Sequence, residues 1–147
     1  MTIPIGSDHA GFETKEEIKK LLKSFGYECD DKGTFSAESV DYPDFAVKVA
    51  ESVGNGTYQK GILVCGSGQG VCITANKVRG VRAALGFNEE SAALTRQHNN
   101  ANILCLPGRM LPIEELKKIT IAWLNAEFEG GRHERRVKKI HSLTEEK

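Results

Sequence analysis

The chain has 147 residues, of which 39% are hydrophobic and 27% are charged, a composition typical of one globular domain. Twenty basic and twenty acidic side chains give a formal net charge of zero, which argues against recognition of nucleic acid or an anionic membrane through overall charge. No stretch approaches the roughly 20 apolar residues of a membrane span, and no secretion signal is recognisable. We therefore expect a cytoplasmic protein without a membrane or nucleic-acid partner.

Strand-like and helix-like segments alternate along the chain, a pattern typical of the α/β class. Short apolar or β-branched runs predict five strands, at residues 2–5, 27–29, 62–64, 82–85 and 103–106. The first predicted helix ends at Gly26, and its apolar face consists of Ile18, Leu21, Leu22 and Phe25. Further helices are predicted from Tyr42, at residues 71–77, from Asn88 toward His98, and from Pro112 to Gly130.

These elements predict a single domain with a doubly wound, mostly parallel five-stranded sheet, in a Rossmann-like or flavodoxin-like three-layer sandwich. A polar loop at residues 30–41 is long enough to form a lid or rim. Residues 131–147 form a basic, helical tail with few apolar side chains, in which Arg132 and Arg136 share one face. We expect this tail to pack on a partner subunit, and the alternative is an ordinary solvated helix.

A cysteine followed by a glycine-rich loop is the most informative local feature. Cys65 comes directly after the third predicted strand, and three glycines then alternate with Ser67 and Gln69. In open α/β sheets ligands bind at the carboxyl ends of the strands, and a glycine-rich loop lets backbone N–H groups converge on an anion. The helix at residues 71–77 would add its dipole. The pattern thus predicts a thiol facing an anion-binding hole.

Three known loop motifs each require a residue that this stretch lacks. A nucleotide-binding P-loop needs Lys and Ser or Thr after its last glycine, where Val71 and Cys72 stand. The dinucleotide fingerprint needs a third glycine that is also missing. A cysteine phosphatase would carry arginine at the position of Val71. The remaining alternative is an inert core thiol beside a tight turn, and the density of glycines favours the functional interpretation.

The four cysteines do not indicate metal binding or disulfides. They lack paired C-x-x-C spacing and lie in or beside apolar runs: Cys29, Cys65, Cys72 and Cys105. The loops after strands one, three, four and five are instead expected to share one edge of the sheet. Those loops carry Asp8 and His9, residues 65–70, the approach to His98 and Asn99, and Arg109. Acid, imidazole, thiol and guanidinium groups together indicate proton transfer on a phosphorylated small molecule.

Five motifs, in order and over nearly the whole chain, resemble the type B ribose-5-phosphate isomerases. They are Gly6-Ser7-Asp8-His9-Ala10-Gly11, Asp41-Tyr42-Pro43, Cys65-Gly66-Ser67-Gly68-Gln69-Gly70, Arg96-Gln97-His98-Asn99-Asn100 and Gly130-Gly131-Arg132-His133-Glu134-Arg135-Arg136-Val137. The wider family also includes isomerases of allose 6-phosphate and of galactose 6-phosphate.

The resemblance implies an aldose–ketose isomerase that interconverts ribose 5-phosphate and ribulose 5-phosphate through an enediolate, without a cofactor or metal. Cys65 matches the base that moves a proton between C1 and C2 of the open-chain sugar. Ser67 matches a hydroxyl beside the thiol. His98, with Asp8 near it, matches the acid or base that opens the furanose ring.

The family's substrate-binding positions match Asp8, His9, Tyr42, Gly66, Ser67, Gly68, Gln69, Gly70, Asn99, Arg109, Arg132 and Arg136. Among these, the backbone amides of residues 66–70 match the hole for the enediolate oxygen, and His9 with the arginines matches the phosphate end. Sites in this family are similar to clefts built across a homodimer, so a homodimer or tetramer is expected. The alternatives are an isomerase of a 6-phosphohexose and a non-catalytic phosphosugar-binding domain.

Overall fold

Five parallel strands form the centre of the molecule in the computed structural model, which describes residues 1–145. The strands are β1 (Thr2–Ser7), β2 (Glu28–Asp31), β3 (Gly61–Cys65), β4 (Ala83–Leu85) and β5 (Ile103–Pro107). Their order across the sheet is β2-β1-β3-β5-β4, with every neighbouring pair parallel. The predicted five-stranded α/β sheet is confirmed, and its strands are parallel throughout.

Residues 1–145 form six α-helices: α1 (Phe12–Ser24), α2 (Tyr42–Gly54), α3 (Gln69–Asn76), α4 (Glu89–Gln97), α5 (Ile113–Asn125) and α6 (Arg132–Thr144). The first five pack on the two faces of the sheet. Successive residues of β3 point to opposite faces. Ile62 and Val64 pack with α1, α4 and α5, whereas Leu63 and Cys65 pack with α2 and α3. The doubly wound, three-layer arrangement is therefore confirmed.

Helix α3 begins at Gln69, two residues earlier than predicted, because Gly68 takes a left-handed conformation with φ of 75° just before it. A Cβ atom at Gly68 would lie 2.5 Å from Cδ1 of Leu85, so both the turn and the packing require glycine. The glycine-rich loop consequently runs straight into the first turn of α3. This confirms that a helix N-terminus lies at the loop.

Two expectations about helix ends are wrong. Helix α5 ends at Asn125 rather than at Gly130, because Ala126 is already extended, with φ of −78° and ψ of 146°. The chain then passes α4, where the N–H of Glu129 donates to the carbonyl oxygen of Gln97 at 3.0 Å. Phe25, assigned to the apolar face of α1, follows the end of that helix and is 56% exposed.

Helix α6 contacts its own domain mainly through polar groups. Nε2 of His141 lies 3.0 Å from Nη1 of Arg82, and the N–H of Gly80 donates to the Glu145 carboxylate at 2.9 Å. His133 and Val137 are the buried residues of α6. Residues 146 and 147 of the predicted tail lie outside the described part of the chain. Within residues 1–145, none of the helices is long and apolar enough to cross a membrane.

Candidate active site

The carboxyl ends of β1, β3 and β5 meet at one edge of the sheet. Ser7 is in register with Val64, and Cys65 is in register with Pro107. The loops that follow these strands place a set of predicted site residues together, which we call the carboxyl-edge group: Asp8, His9, Cys65, Gly66, Ser67, Gly68, Gln69, Gly70 and Arg109. The prediction that the loops after strands one, three, four and five share an edge is confirmed, because β4 is also parallel to β5.

Cys65 is the last residue of β3 and is 5% exposed. The loop after β5 braces the backbone at Cys65 and at the residue that follows it. The N–H of Gly108 donates to the carbonyl oxygen of Cys65 at 2.8 Å, and the N–H of Arg109 donates to that of Gly66 at 3.0 Å. The thiol is thereby held on a rigid backbone beside the N-terminus of α3.

Asp8 and His9 are each held by one backbone amide. The Asp8 carboxylate accepts a hydrogen bond from the N–H of Gly11 at 3.1 Å and caps a short 3₁₀ turn, His9–Gly11. Nδ1 of His9 accepts from the N–H of Val40 at 3.1 Å, in the predicted rim loop. A neutral His9 therefore carries its proton on Nε2, which leaves that N–H available as a donor to a ligand.

Tyr42 and Arg109 lie over the glycine-rich loop. A Cβ atom at Gly70 would be 2.6 Å from the ring of Tyr42, and one at Gly66 would be 3.6 Å from Cδ of Arg109. The exposed Ser67 hydroxyl accepts from the N–H of Gln69 at 3.3 Å. The loop therefore presents amides and a hydroxyl beside the ring of Tyr42 and the aliphatic part of the Arg109 side chain.

His98 and Asn99 lie at the opposite edge of the sheet, so the expectation that they gather with Cys65 is wrong for a single chain, although the loop that leads from β4 to α4 does share the edge of Cys65. The physical reason is the direction of α4. Its nine residues run back from the carboxyl edge over about 13 Å, most of the roughly 16 Å that a five-residue strand such as β5 spans. Since His98 caps the end of α4, the length of the sheet separates it from Cys65.

Arg132 and Arg136 are also found at this amino edge, on α6. We call His98, Asn99, Arg132 and Arg136 the amino-edge group. The rings of His98 and His133 stack, with centroids 4.3 Å apart and planes within 9°. Both arginines are exposed, one turn apart on α6. Burial lowers the pKa of His133, and the neighbouring His98 and Arg132 lower it further.

Both the sequence and the fold of this chain are similar to those of known proteins. The sequence profile described as Ribose/Galactose Isomerase matches residues 3–140. The chain belongs to the ribose/galactose isomerase family. It is 46% identical to ribose-5-phosphate isomerase B of Escherichia coli strain K12, over 96% of this chain and 95% of that protein. The family predicted from the five motifs is thereby confirmed.

Two solved structures of isomerases of this family are similar over almost the whole chain. Ribose-5-phosphate isomerase B from Clostridium thermocellum has a TM-score of 0.97 and 50% identity, with 99% of each chain covered. The Mycoplasma genitalium enzyme with bound ribulose-5-phosphate has a TM-score of 0.96 and 47% identity, covering 99% of this chain and 97% of that one.

The sequence did not predict the hydrogen bonds that hold the turn after α4 at the amino edge. Nη1 of Arg96 donates to the Asn100 side chain at 2.9 Å and to the carbonyl oxygen of Ala101 at 2.7 Å. Nε of Arg82 donates to the carbonyl oxygen of Asn100 at 2.9 Å. This hydrogen bond helps to hold Asn100 in a left-handed conformation, with φ of 47°. Arg96 and Asn100 belong to a motif noted in the sequence, but their pairing depends on the turn after α4.

Proposed function

We propose that this chain interconverts ribose 5-phosphate and ribulose 5-phosphate through an enediolate, with Cys65 as the base. The observation that carries the proposal is the placement of Cys65 at the end of β3, beside the glycine-rich loop and the N-terminus of α3. The match to an isomerase structure with bound ribulose-5-phosphate supports the choice of substrate. We further propose the cytoplasm as its compartment, where reducing conditions keep the thiol free.

In this proposal the carboxyl-edge group performs the proton transfer. The Cys65 thiolate removes the proton from C2 of the open-chain aldose, which leaves negative charge on O1 of the enediolate. The backbone amides of residues 66–70 with the positive end of α3 stabilise this charge. The Cys65 thiol then returns the proton to C1, and the proton of the O2 hydroxyl moves to O1, which gives the ketose. These donors are fixed by the fold, so little reorganisation is needed during the reaction.

The remaining residues would orient the substrate. His9, Arg109, Arg132 and Arg136 would bind the phosphate, since guanidinium groups match its geometry. Ser67, Gln69 and Tyr42 would contact the sugar from the loop side, and Asn99 from the other side. His98, with Asp8 near it, would open the furanose ring by proton transfer.

A complete site requires two chains. Cys65 and His98 lie at opposite edges of one sheet, yet proton transfer and ring opening must act on the same sugar. A homodimer with two-fold symmetry would bring the amino-edge group of one subunit to the carboxyl-edge group of the other, and would do so twice. The exposed positions of Arg132 and Arg136 support this arrangement.

The direct test is incubation of the purified protein with ribose 5-phosphate while ribulose 5-phosphate is measured. Allose 6-phosphate and galactose 6-phosphate provide the comparison, and kcat/KM should be highest for the pentose. Binding of all three without turnover would instead support a non-catalytic phosphosugar-binding domain. Preferred turnover of a hexose phosphate would keep the reaction type and change the substrate.

The shared site has its own test in a mixture of two inactive variants, Cys65→Ala and His98→Asn. A mixed dimer contains one site with both residues altered and one site with both intact. With random exchange about half of the dimers are mixed, so the mixture should regain about a quarter of the wild-type rate. No recovery in verified mixed dimers would show that each site is built within one chain.

A further inference from the structure

A second cluster lies beside the amino-edge group and brings together two imidazoles and a carboxylate. Oε1 of Glu129 is 3.7 Å from Nε2 of His98 and 3.6 Å from Nε2 of His133. All three possible ligand atoms lie within 4.8 Å of one another. We propose that these three residues form a binding site for Zn²⁺ or a similar divalent transition metal, and that the bound ion inhibits the isomerase.

The distances fit metal ligands better than hydrogen-bond partners. Both N···O separations exceed the range of about 2.7–3.2 Å that is usual for hydrogen bonds. Zinc binds histidine nitrogen and carboxylate oxygen at about 2.0–2.2 Å, so two ligands of a tetrahedral ion are separated by about 3.4 Å. The distances of 3.7 and 3.6 Å from the Glu129 carboxylate to the two imidazole nitrogens are therefore close to the ligand separation that a bound zinc ion requires.

The donor set also matches the chemistry of zinc. Two histidines and one glutamate form a three-ligand set that leaves a fourth position for water or substrate. Imidazole nitrogen selects zinc and other transition metals over Mg²⁺ and Ca²⁺, which prefer oxygen ligands. The ligands of the cluster thus favour a transition metal of intermediate softness, such as Zn²⁺.

One adjustment is required before both imidazoles can coordinate an ion. Their rings are within 9° of parallel, so at least one ring must rotate to direct its nitrogen lone pair at a shared ion. The terminal torsion of histidine is broad, which makes this rotation accessible. His98 is the freer ring, with 40% of its side chain exposed against 10% for His133.

The backbone already holds the three ligands together. The N–H of Glu129 donates to the carbonyl oxygen of Gln97, which fixes the extended segment after α5 beside His98. The N–H of His133 donates to the carbonyl oxygen of Gly130 at the start of α6. Metal binding would therefore join three elements that are already adjacent, with little chain entropy to lose.

Inhibition follows from the identity of one ligand, and this part rests on the proposed function. An imidazole nitrogen bound to zinc cannot accept or donate the proton that furanose opening requires. The ion would also fix α6 and its exposed arginines relative to the loop after α4. Zinc should consequently slow turnover of the cyclic sugar.

The site is tested by calorimetric titration of the chelator-treated, untagged full-length protein with Zn²⁺. Glu129→Gln and His133→Ala should each weaken binding at least about tenfold, since even outer-shell changes cost 10–100-fold in affinity. Glu127→Gln is the matched control, because this nearby exposed carboxylate is outside the cluster. The Glu127→Gln variant should bind Zn²⁺ as tightly as the wild-type protein does. Unchanged affinity in both test variants would overturn the site, because zinc would then bind elsewhere, for example at a thiol.

The inhibitory role is tested with the same variants. Without zinc, Glu129→Gln should isomerise ribose 5-phosphate at close to the wild-type rate, and with zinc it should resist inhibition. Zinc binding at the cluster without slower turnover would overturn the inhibitory role and leave the site standing. If the wild-type protein showed no isomerase activity at all, the proposed function would fail, while the calorimetric result would still decide the metal site.

Discussion

The imidazole of His98, at the end of α4, stacks on the imidazole of His133 in the first turn of α6, with ring centroids 4.3 Å apart. This contact joins the end of α4, which carries the residue proposed for ring opening, to α6, which carries the arginines proposed for phosphate binding. His98, Arg132 and Arg136 therefore belong to one unit at the amino edge, and Cys65 belongs to another at the carboxyl edge.

Replacing Cys65 by alanine should remove isomerisation and preserve phosphosugar binding, because only the proton-transfer base is lost. We expect kcat to fall by about 10²–10⁴-fold, the range for a general base, with ribulose 5-phosphate still bound in a calorimetric titration. Cys72→Ala is the control, since the Cys72 thiol donates to the carbonyl oxygen of Ala83 at 3.5 Å on the helix behind the loop. Near-native turnover in Cys65→Ala would show that Cys65 is only a core thiol.

Replacing His98 by asparagine should slow the cyclic sugar far more than an open-chain analogue, because no ring has to be opened in the second case. The ratio of kcat/KM for the two substrates is the measurement. His141→Asn is a suitable control because it removes another imidazole from the same edge, one that contacts Arg82 at 3.0 Å. Equal losses on both substrates would refute a ring-opening role.

Arg132→Ala and Arg136→Ala should each raise KM for the phosphosugar strongly, because the two guanidinium groups lie one helical turn apart and can bind one phosphate together. Lys138→Ala should leave KM unchanged, since this lysine forms only an exposed pair with Glu134 at 3.4 Å. Normal KM in both arginine variants would indicate that His9 and Arg109 bind the phosphate instead.

Deleting the chain from Arg132 onward should impair phosphosugar binding without unfolding the α/β sheet. Val137 is the one apolar side chain that α6 buries within the described residues, so its loss removes little of the core. Circular dichroism and urea denaturation would report the remaining fold. Loss of cooperative unfolding would show that the polar contacts of α6 stabilise the domain more than we expect.

Asp31→Asn should destabilise the protein by about 3 kcal/mol, because it leaves the fully buried Lys15 ammonium without its main partner. The Asp31 carboxylate lies 2.6 Å from Lys15 and 2.8 Å from Lys19. Asp30→Asn breaks a partly exposed pair with Lys32 and leaves an amide oxygen to accept the Tyr58 hydroxyl, so it should have a much smaller effect on the free energy of unfolding. Urea denaturation at pH 7 measures both.

The same pair predicts a dependence of stability on pH. Burial raises the pKa of Asp31, but hydrogen bonds from Lys15, Lys19 and the N–H of Gly33 outweigh it, so the pKa lies below its ordinary value. A lowered carboxyl pKa stabilises the folded state above about pH 4 and loses this effect as the pH falls further. The stability difference between wild type and Asp31→Asn should therefore shrink in acid. A difference that stays constant down to pH 3 would contradict this account.

The amino-acid sequence alone determined the α/β class, the five strands and the chemical character of the Cys65 loop. These features depend on local patterns: apolar periodicity, glycine spacing and short motifs. The C-terminal end of α5 could not be predicted from the sequence, because no residue between Asn125 and Gly130 is a helix breaker. There the packing of Glu129 against the end of α4 ends the helix early.

Only the tertiary structure decided which site residues lie together. Cys65 and His98 were predicted at one edge, but the return direction of α4 separates them by the length of the sheet. His98, Glu129 and His133 are distant in sequence or lie across a turn, and no spacing rule indicates their contact. The direction of a helix relative to the sheet is set when the layers of the fold assemble and not by any local segment, so the tertiary structure was needed to locate both halves of the proposed site.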